Sequence, residues 1–156
     1  MPTVSPKVRI LQVLLVEDNP ADIRLTEEAL RQWELPHVLQ VARDGEQALA
    51  MLRQEGEYSA SPKPDLVLLD LNLPRMNGSE VLSQIKADPQ TLRTPVLVLS
   101  TSAAERDIAD CYRLHANCYL QKPVNFEEFA KQMRSIQEFW LGWALLPPNA
   151  PKVANG

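Results

Sequence analysis

Ile10-Leu-Gln-Val-Leu-Leu-Val-Glu-Asp-Asn-Pro20 is the stretch on which the reading of the fold turns. Residues 10–16 are almost continuously aliphatic. That is the composition of a strand buried on both faces of a parallel sheet, where no side of the strand meets water. Two acids follow at once, and then Asn19 and Pro20, an N-cap residue and a proline whose fixed φ suits the first position of a helix. The stretch reads as strand, acidic turn, helix. Further aliphatic runs occupy 38–42, 66–69, 96–99 and, more weakly, 118–120, making five strands. Helical patterns lie between them. The first should run from Pro20 to about Trp33. Asp44 with Gln47, and Ser102 with Glu105, have the spacing of capping boxes. Residues 78–87 supply another helix, and a last one starts near Asn125 with Phe126, Phe129, Met133, Ile136, Trp140 and Trp143 along one stripe. Strands alternating with helices of this size give an α/β fold, a doubly wound parallel sheet of five strands covered by five helices. Residues 55–64 and 88–95 read as surface loops, and 147–156 as a disordered tail.

At 156 residues, with 45% hydrophobic and 23% charged, the chain suits one ordinary folded core over 10–140, followed by an apolar extension and tail over 141–156. A net charge of -4 provides no global positive field, so neither nucleic acid nor an anionic membrane surface is expected as a partner. Cys111 and Cys118 lack the spacing of a metal or redox pair and read as buried neutral thiols. Residues 1–9 contain no apolar signal segment, and no run approaches the roughly 18 apolar residues of a membrane span. A cytoplasmic location is the expectation.

Ligands of an open parallel sheet bind beyond the carboxyl ends of its strands. Glu17 and Asp18 end the first aliphatic run, Asp70 the third, Ser100 the fourth, and Lys122 follows the fifth. Adjacent strands would gather these side chains into one pocket. Three carboxylates there repel one another unless a cation intervenes, and an oxygen-rich, wet pocket suits Mg²⁺. Lys122 adds a point positive charge, and the Ser100 hydroxyl can donate to a phosphoryl oxygen. Phosphoryl transfer needs mainly positioning and charge neutralisation, which such a set provides. Taken singly, Glu17 and Asp18 could serve only the turn into the helix, Ser100 and Ser102 a cap, and Lys122 a solvated surface. Their conjunction is what points to chemistry.

On these residues the sequence resembles the receiver domain of two-component response regulators, over residues 10–140. The acidic pair of that family is matched by Glu17–Asp18, its phosphoacceptor block by Asp70-Leu-Asn-Leu-Pro-Arg-Met-Asn-Gly78, its hydroxyl by Ser100 and its Lys-Pro by Lys122–Pro123. The resemblance implies the flavodoxin-like strand order 2-1-3-4-5. It also implies that Asp70 is the nucleophile for a phosphoryl group from a sensor histidine kinase. Glu17, Asp18, Asp70 and the Asn72 carbonyl would hold Mg²⁺, while Lys122 and Ser100 would hold phosphoryl oxygens. Movement of Ser100 would let Tyr119 turn inward and change the surface read by a partner. Glu17 stands where Asp is more usual, and Ser100 where Thr is frequent; both keep the functional group. A cis peptide before Pro123 is a further implication, against the ordinary trans reading of a proline after a strand.

Phe139-Trp-Leu-Gly-Trp-Ala-Leu-Leu146 concentrates apolar and aromatic residues before Pro147. Phe139, Trp140 and Trp143 are candidate interface residues; the alternative is that Gly142 breaks the helix and lets 143–146 fold back on the domain. The start Leu15-Val-Glu-Asp-Asn-Pro-Ala-Asp22 and the Phe-Trp-Leu ending resemble stand-alone receivers paired with bacterial phytochrome-type kinases, notably those of cyanobacteria. This implies a homodimer through the last helix and kinase docking on the first helix, with Ile23, Leu25 and Thr26. Two rivals are weaker. An aspartate-nucleophile phosphatase of the haloacid dehalogenase type wants a second Asp two residues on, where this chain has Asn72. An interaction module that is never phosphorylated would usually have lost part of the pocket.

Overall fold

The computed structural model describes residues 9–148. In chain order it contains β1 (Leu11–Val16), α1 (Pro20–Leu30), β2 (His37–Ala42), α2 (Gly45–Arg53), a single 3₁₀ turn (Gly56–Tyr58), β3 (Leu66–Asp70) and α3 (Gly78–Ala87). There follow β4 (Val96–Ser100), α4 (Glu105–Arg113), β5 (Cys118–Gln121), α5 (Phe126–Ile136) and a π-helical segment (Gln137–Trp143). The five strands are all parallel, in the order β2-β1-β3-β4-β5. This is the doubly wound sheet expected from the alternation of elements.

Strand periodicity divides the core in two, because successive side chains leave opposite faces of a sheet. Val13, Leu15, Leu66, Leu68, Leu97 and Leu99 face α1 and α5, where they meet Ile23, Leu30, Phe129 and Met133. Leu14, Val16, Val67, Leu69, Val96 and Val98 face the other way, onto Leu49, Leu52, Val81, Ile85 and Cys111 of α2, α3 and α4. Both faces are dry over 13–16 of β1, 66–69 of β3 and 96–99 of β4, which is why these positions are all aliphatic. Cys111 is buried and Cys118 half-buried, and both are free thiols. Among the described residues no helix is long and apolar enough to cross a membrane.

Helix starts follow their capping residues. Asn19 accepts from the Ala21 and Asp22 amides, Asn77 from Glu80 and Asn125 from Glu128. Asp44 accepts from the Gln47 amide at 2.8 Å, but the Gln47 side chain returns to the amide of Arg43, one residue before the cap. The Ser102–Glu105 box does not form. Ala104 occupies the cap position of α4, and Ser102 Oγ instead accepts from the Ala104 amide and donates to Asp107 Oδ2 at 2.6 Å. Helix α1 ends at Leu30 rather than near Trp33, because the Trp33 side chain turns into the core and donates Nε1–H to the Met133 carbonyl of α5 at 3.0 Å. The expected tail beyond residue 148 lies outside the described residues.

Candidate functional site

Strand register assembles the pocket. Val16 lies opposite Leu69, so the next residues, Glu17 and Asp70, come side by side at the carboxyl edge of β1 and β3. Asp70 pairs with Leu99 and Ser100 with Gln121, which brings the ends of β4 and β5 to the same edge. The Lys122 amide donates to the Ser100 carbonyl at 2.7 Å, one step past the last β5 residue. The peptide bond before Pro123 is trans, correcting the implied cis form. The backbone bond from Lys122 to Ser100 already directs the lysine inward.

Glu17, Asp18 and Asp70 each offer a carboxylate oxygen, and these atoms all lie within 4.8 Å of one another. Glu17 and Asp70 are buried while Asp18 is exposed, so the cluster opens to solvent on one side. Lys122 Nζ sits 3.1 Å from Glu17 Oε1 and 3.7 Å from Asp70 Oδ2. Glu17 Oε2 accepts from the amides of Asp18 and Asn19, and Asp70 Oδ1 from the amide of Asn72 at 3.1 Å. The donor set is all oxygen, carries excess negative charge and is reachable by water, which fits a hard divalent cation.

Burial raises the Glu17 carboxyl from its ordinary 4.5 to about 7, helped by its hydrogen bond with Asp70 and opposed by Lys122. Burial works against the Lys122 charge, but Asp70 and Glu17 outweigh it and hold the ammonium above its ordinary value. A raised carboxyl means that the folded, metal-free protein holds a proton more tightly than the unfolded chain. The stability contributed by that proton is therefore present below pH 4.5 and is lost as pH rises to about 7. A cation must displace the same proton. Apparent affinity for a divalent cation, measured by calorimetry, should then rise up to about tenfold per pH unit below 7 and level off above it. Glu17→Gln should flatten that dependence.

Ser100 and Tyr119 are joined through a residue read from sequence only as a cap. The Ser102 amide donates to Ser100 Oγ at 3.1 Å, and the Tyr119 hydroxyl donates to the Ser102 carbonyl at 2.9 Å. Gly78 is another residue whose part was missed. A Cβ there would lie 2.5 Å from both the Asp70 carbonyl oxygen and the Leu71 Cα, so only glycine lets α3 begin this close to the Asp70 backbone. Its amide closes the Leu71 to Asn77 loop by donating to the Leu71 carbonyl at 2.9 Å.

Elsewhere the predicted residues separate. Of Ile23, Leu25 and Thr26, only Leu25 is exposed; Ile23 is in the core and the Thr26 hydroxyl donates to the Asp22 carbonyl. Leu25 lines a shallow groove with Pro123, Val124 and Phe126 beside Lys122. Phe139 and Trp143 are 57% and 82% exposed. Trp140 is half-buried against the α1–α5 core and meets Phe139 edge to face.

The family model for the response regulator receiver domain matches residues 13–134. Response regulator Rcp1 of Synechocystis sp. is 49% identical over 142 residues, covering 91% of this chain and 94% of that protein. The phosphorylated cyanobacterial phytochrome response regulator RcpA superposes with a TM-score of 0.85 at 51% identity, over 90% of this chain and all of that one. The Mn²⁺-bound form of Rcp1 gives 0.83 at 48% identity, over 88% of this chain and 99% of that one. With its sheet order, acidic edge and Lys122 in place, this chain belongs to the response regulator receiver domain family and is homologous to the phytochrome response regulators.

Proposed function

We propose that the chain receives a phosphoryl group on Asp70 from a phosphohistidine of a sensor histidine kinase of the bacterial phytochrome type. The observation that carries this reading is the convergence of Glu17, Asp18 and Asp70 within 4.8 Å, with Lys122 beside them, at the carboxyl edge of the sheet. An Asp70 carboxylate oxygen attacks phosphorus; the P–N bond to histidine breaks as the new P–O bond forms, and the imidazole leaves neutral after taking a proton. Mg²⁺, held by Glu17, Asp18, Asp70 and the Asn72 carbonyl, supplies neutralisation of the phosphoryl charge when bound. Lys122 exchanges its bond with Glu17 for a phosphoryl oxygen, and Ser100 donates its hydroxyl to another. Water later attacks the acyl phosphate and releases phosphate, restoring Asp70, so the protein also limits its own signal.

Ser100 is the switch. Turning its hydroxyl toward the phosphoryl group withdraws the acceptor that holds the Ser102 amide, loosening the Tyr119 hydroxyl from the Ser102 carbonyl and letting the ring turn inward. Kinase docking uses α1 through Leu25, next to Val124 and Phe126. Residues 10–140 form the receiver and 141–156 an apolar extension and tail, and Phe139, Trp140 and Trp143 offer a surface to a second copy of the chain. Exposed aromatic side chains of this size support an interface. The protein acts in the cytoplasm.

Acetyl phosphate with Mg²⁺ tests the chemistry directly, with intact mass as the readout. One phosphoryl group should add only when Mg²⁺ is present. Lys122→Ala should bind Mg²⁺ at least as tightly, because a competing cation is gone, yet label about ten- to a hundredfold more slowly. A variant labelled at the wild-type rate would remove Lys122 from the reaction.

A further inference from the structure

The side-chain stripe of α5 predicts a burial that its continuation does not keep. Phe129, Met133 and Ile136 are buried, and at α-helical spacing Trp140 and Trp143 fall on the same side. Trp140 is half-buried as that spacing requires, but Trp143 is 82% exposed. The cause is the change of helix. Across the seven residues Gln137–Trp143 the chain is π-helical, and the Ala144 amide donates to Phe139 five residues back at 2.7 Å. A π turn takes about one residue more than an α turn, so each side chain falls roughly 20° behind its α-helical direction. By Trp143 the accumulated lag exceeds about 100°, enough to carry the indole off the core stripe.

Two buried polar side chains sit where the register changes. Trp33 donates Nε1–H to the Met133 carbonyl at 3.0 Å, on the last α turn before the π segment. That carbonyl also accepts from the Gln137 amide, so the indole competes for an acceptor of the regular helical ladder. Gln137, the first π residue, is buried, and its Oε1 accepts from the Leu35 amide at 2.9 Å. Both bonds tie the helix to the corner between α1 and β2. The corner needs them too, since the Leu35 amide and the buried indole N–H would otherwise give up these hydrogen-bond partners.

We infer that Trp33 and Gln137 are positioning residues that hold the C-terminal segment in π register, and so turn Trp143 outward beside Phe139 for contact with a second copy of this chain. The part concerning the second copy rests on the self-association reading above; the part concerning register does not.

The test uses the full chain and two measurements. Hydrogen-bond scalar couplings in NMR identify the carbonyl that accepts from the Ala144 amide, and sedimentation velocity gives the self-association constant. Wild type should couple Ala144 to Phe139. Trp33→Phe combined with Gln137→Met keeps the bulk and removes the donor and the acceptor; it should move the coupling to Trp140 and weaken self-association by about tenfold or more. Gln137→Glu, which retains an acceptor for Leu35, should keep the wild-type coupling. Amide exchange at Val67 and Leu68 of β3 reports whether the core stays folded. If the double variant proves unstable, Gln137→Met alone should still shift part of the Ala144 coupling. Coupling to Phe139 undiminished in both variants overturns the proposal. A shifted register with unchanged self-association overturns its link to the interface. A wild-type chain that stays monomeric overturns the self-association reading and that link together, while the register is still decided by Ala144.

Discussion

Asp70→Asn should fold and take no phosphoryl group from acetyl phosphate, with labelling reduced by at least about a hundredfold. The substitution keeps the planar shape and leaves an oxygen able to accept from the Asn72 amide, so the loop after β3 retains its anchor. It removes the nucleophile, because an amide oxygen has no full charge to deliver to phosphorus. It also rearranges the charges of the pocket in a measurable way. Asp70 raises the Glu17 carboxyl through its hydrogen bond and its charge, so in the variant Glu17 should titrate below about 7, though burial still holds it above its ordinary 4.5. Lys122 loses an attractive carboxylate and its ammonium should titrate lower. Cation affinity should fall, since one of three converging carboxylates is neutral. Carboxyl chemical shifts followed by NMR, together with intact mass, check each statement. An adduct of unchanged yield on the variant would place the acceptor elsewhere.

Among the described glycines, Gly78→Ala should be the most damaging substitution. The added carbon meets the Asp70 oxygen and the Leu71 Cα at 2.5 Å and the Leu71 carbonyl carbon at 3.1 Å, all of them backbone atoms. No side chain can rotate away, so either α3 or the phosphoacceptor strand must shift. Alanine would gain up to about 1 kcal/mol of helix propensity. Overpacking against backbone outweighs this, and a net loss of about 2 kcal/mol is expected, a fall in Tm on the order of 6 °C. Labelling of Asp70 should fall with it even in the folded fraction, because the displaced atoms belong to the residue that reacts. Gly56 is the control. It has a positive φ of 57° but nothing within 4 Å of its added carbon. Alanine there should cost only about 1 kcal/mol of backbone strain and leave labelling intact. Thermal melts of the two variants side by side separate a steric clash from a conformational one.

The sheet was legible in the sequence because burial on both faces leaves little choice of residue. All five strands were readable from their aliphatic runs, and each run lies within a residue or two of the strand that forms there. The meeting of Glu17, Asp18, Asp70 and Lys122 was legible for a related reason. Parallel strands deliver their C-terminal residues to one edge, so an acid directly after such a run has one place to go. What escaped depended on contacts between distant residues. Ser102 has the spacing of a helix cap, yet its backbone is engaged by Ser100 and Tyr119, and α4 starts beyond it. Trp33 has the periodicity to extend α1, but a partner a hundred residues away competes for its indole. Gly78 looks like a helix-starting glycine until the Asp70 backbone is seen against it. The stripe ending at Trp143 failed because periodicity assumes one helical pitch throughout, and here the pitch changes at Gln137.

The 2.7 Å bond from the Lys122 amide to the Ser100 carbonyl makes the ends of β4 and β5 a single rigid bracket. The bracket carries the hydroxyl on one arm and the ammonium on the other. Each side chain still reaches an anion in the pocket by rotating about its own bonds, but both start from one fixed backbone frame. The spacing of the two strand ends therefore need not change when an anion arrives, so the cost of bringing hydroxyl and ammonium to the same ligand is met at folding rather than at engagement.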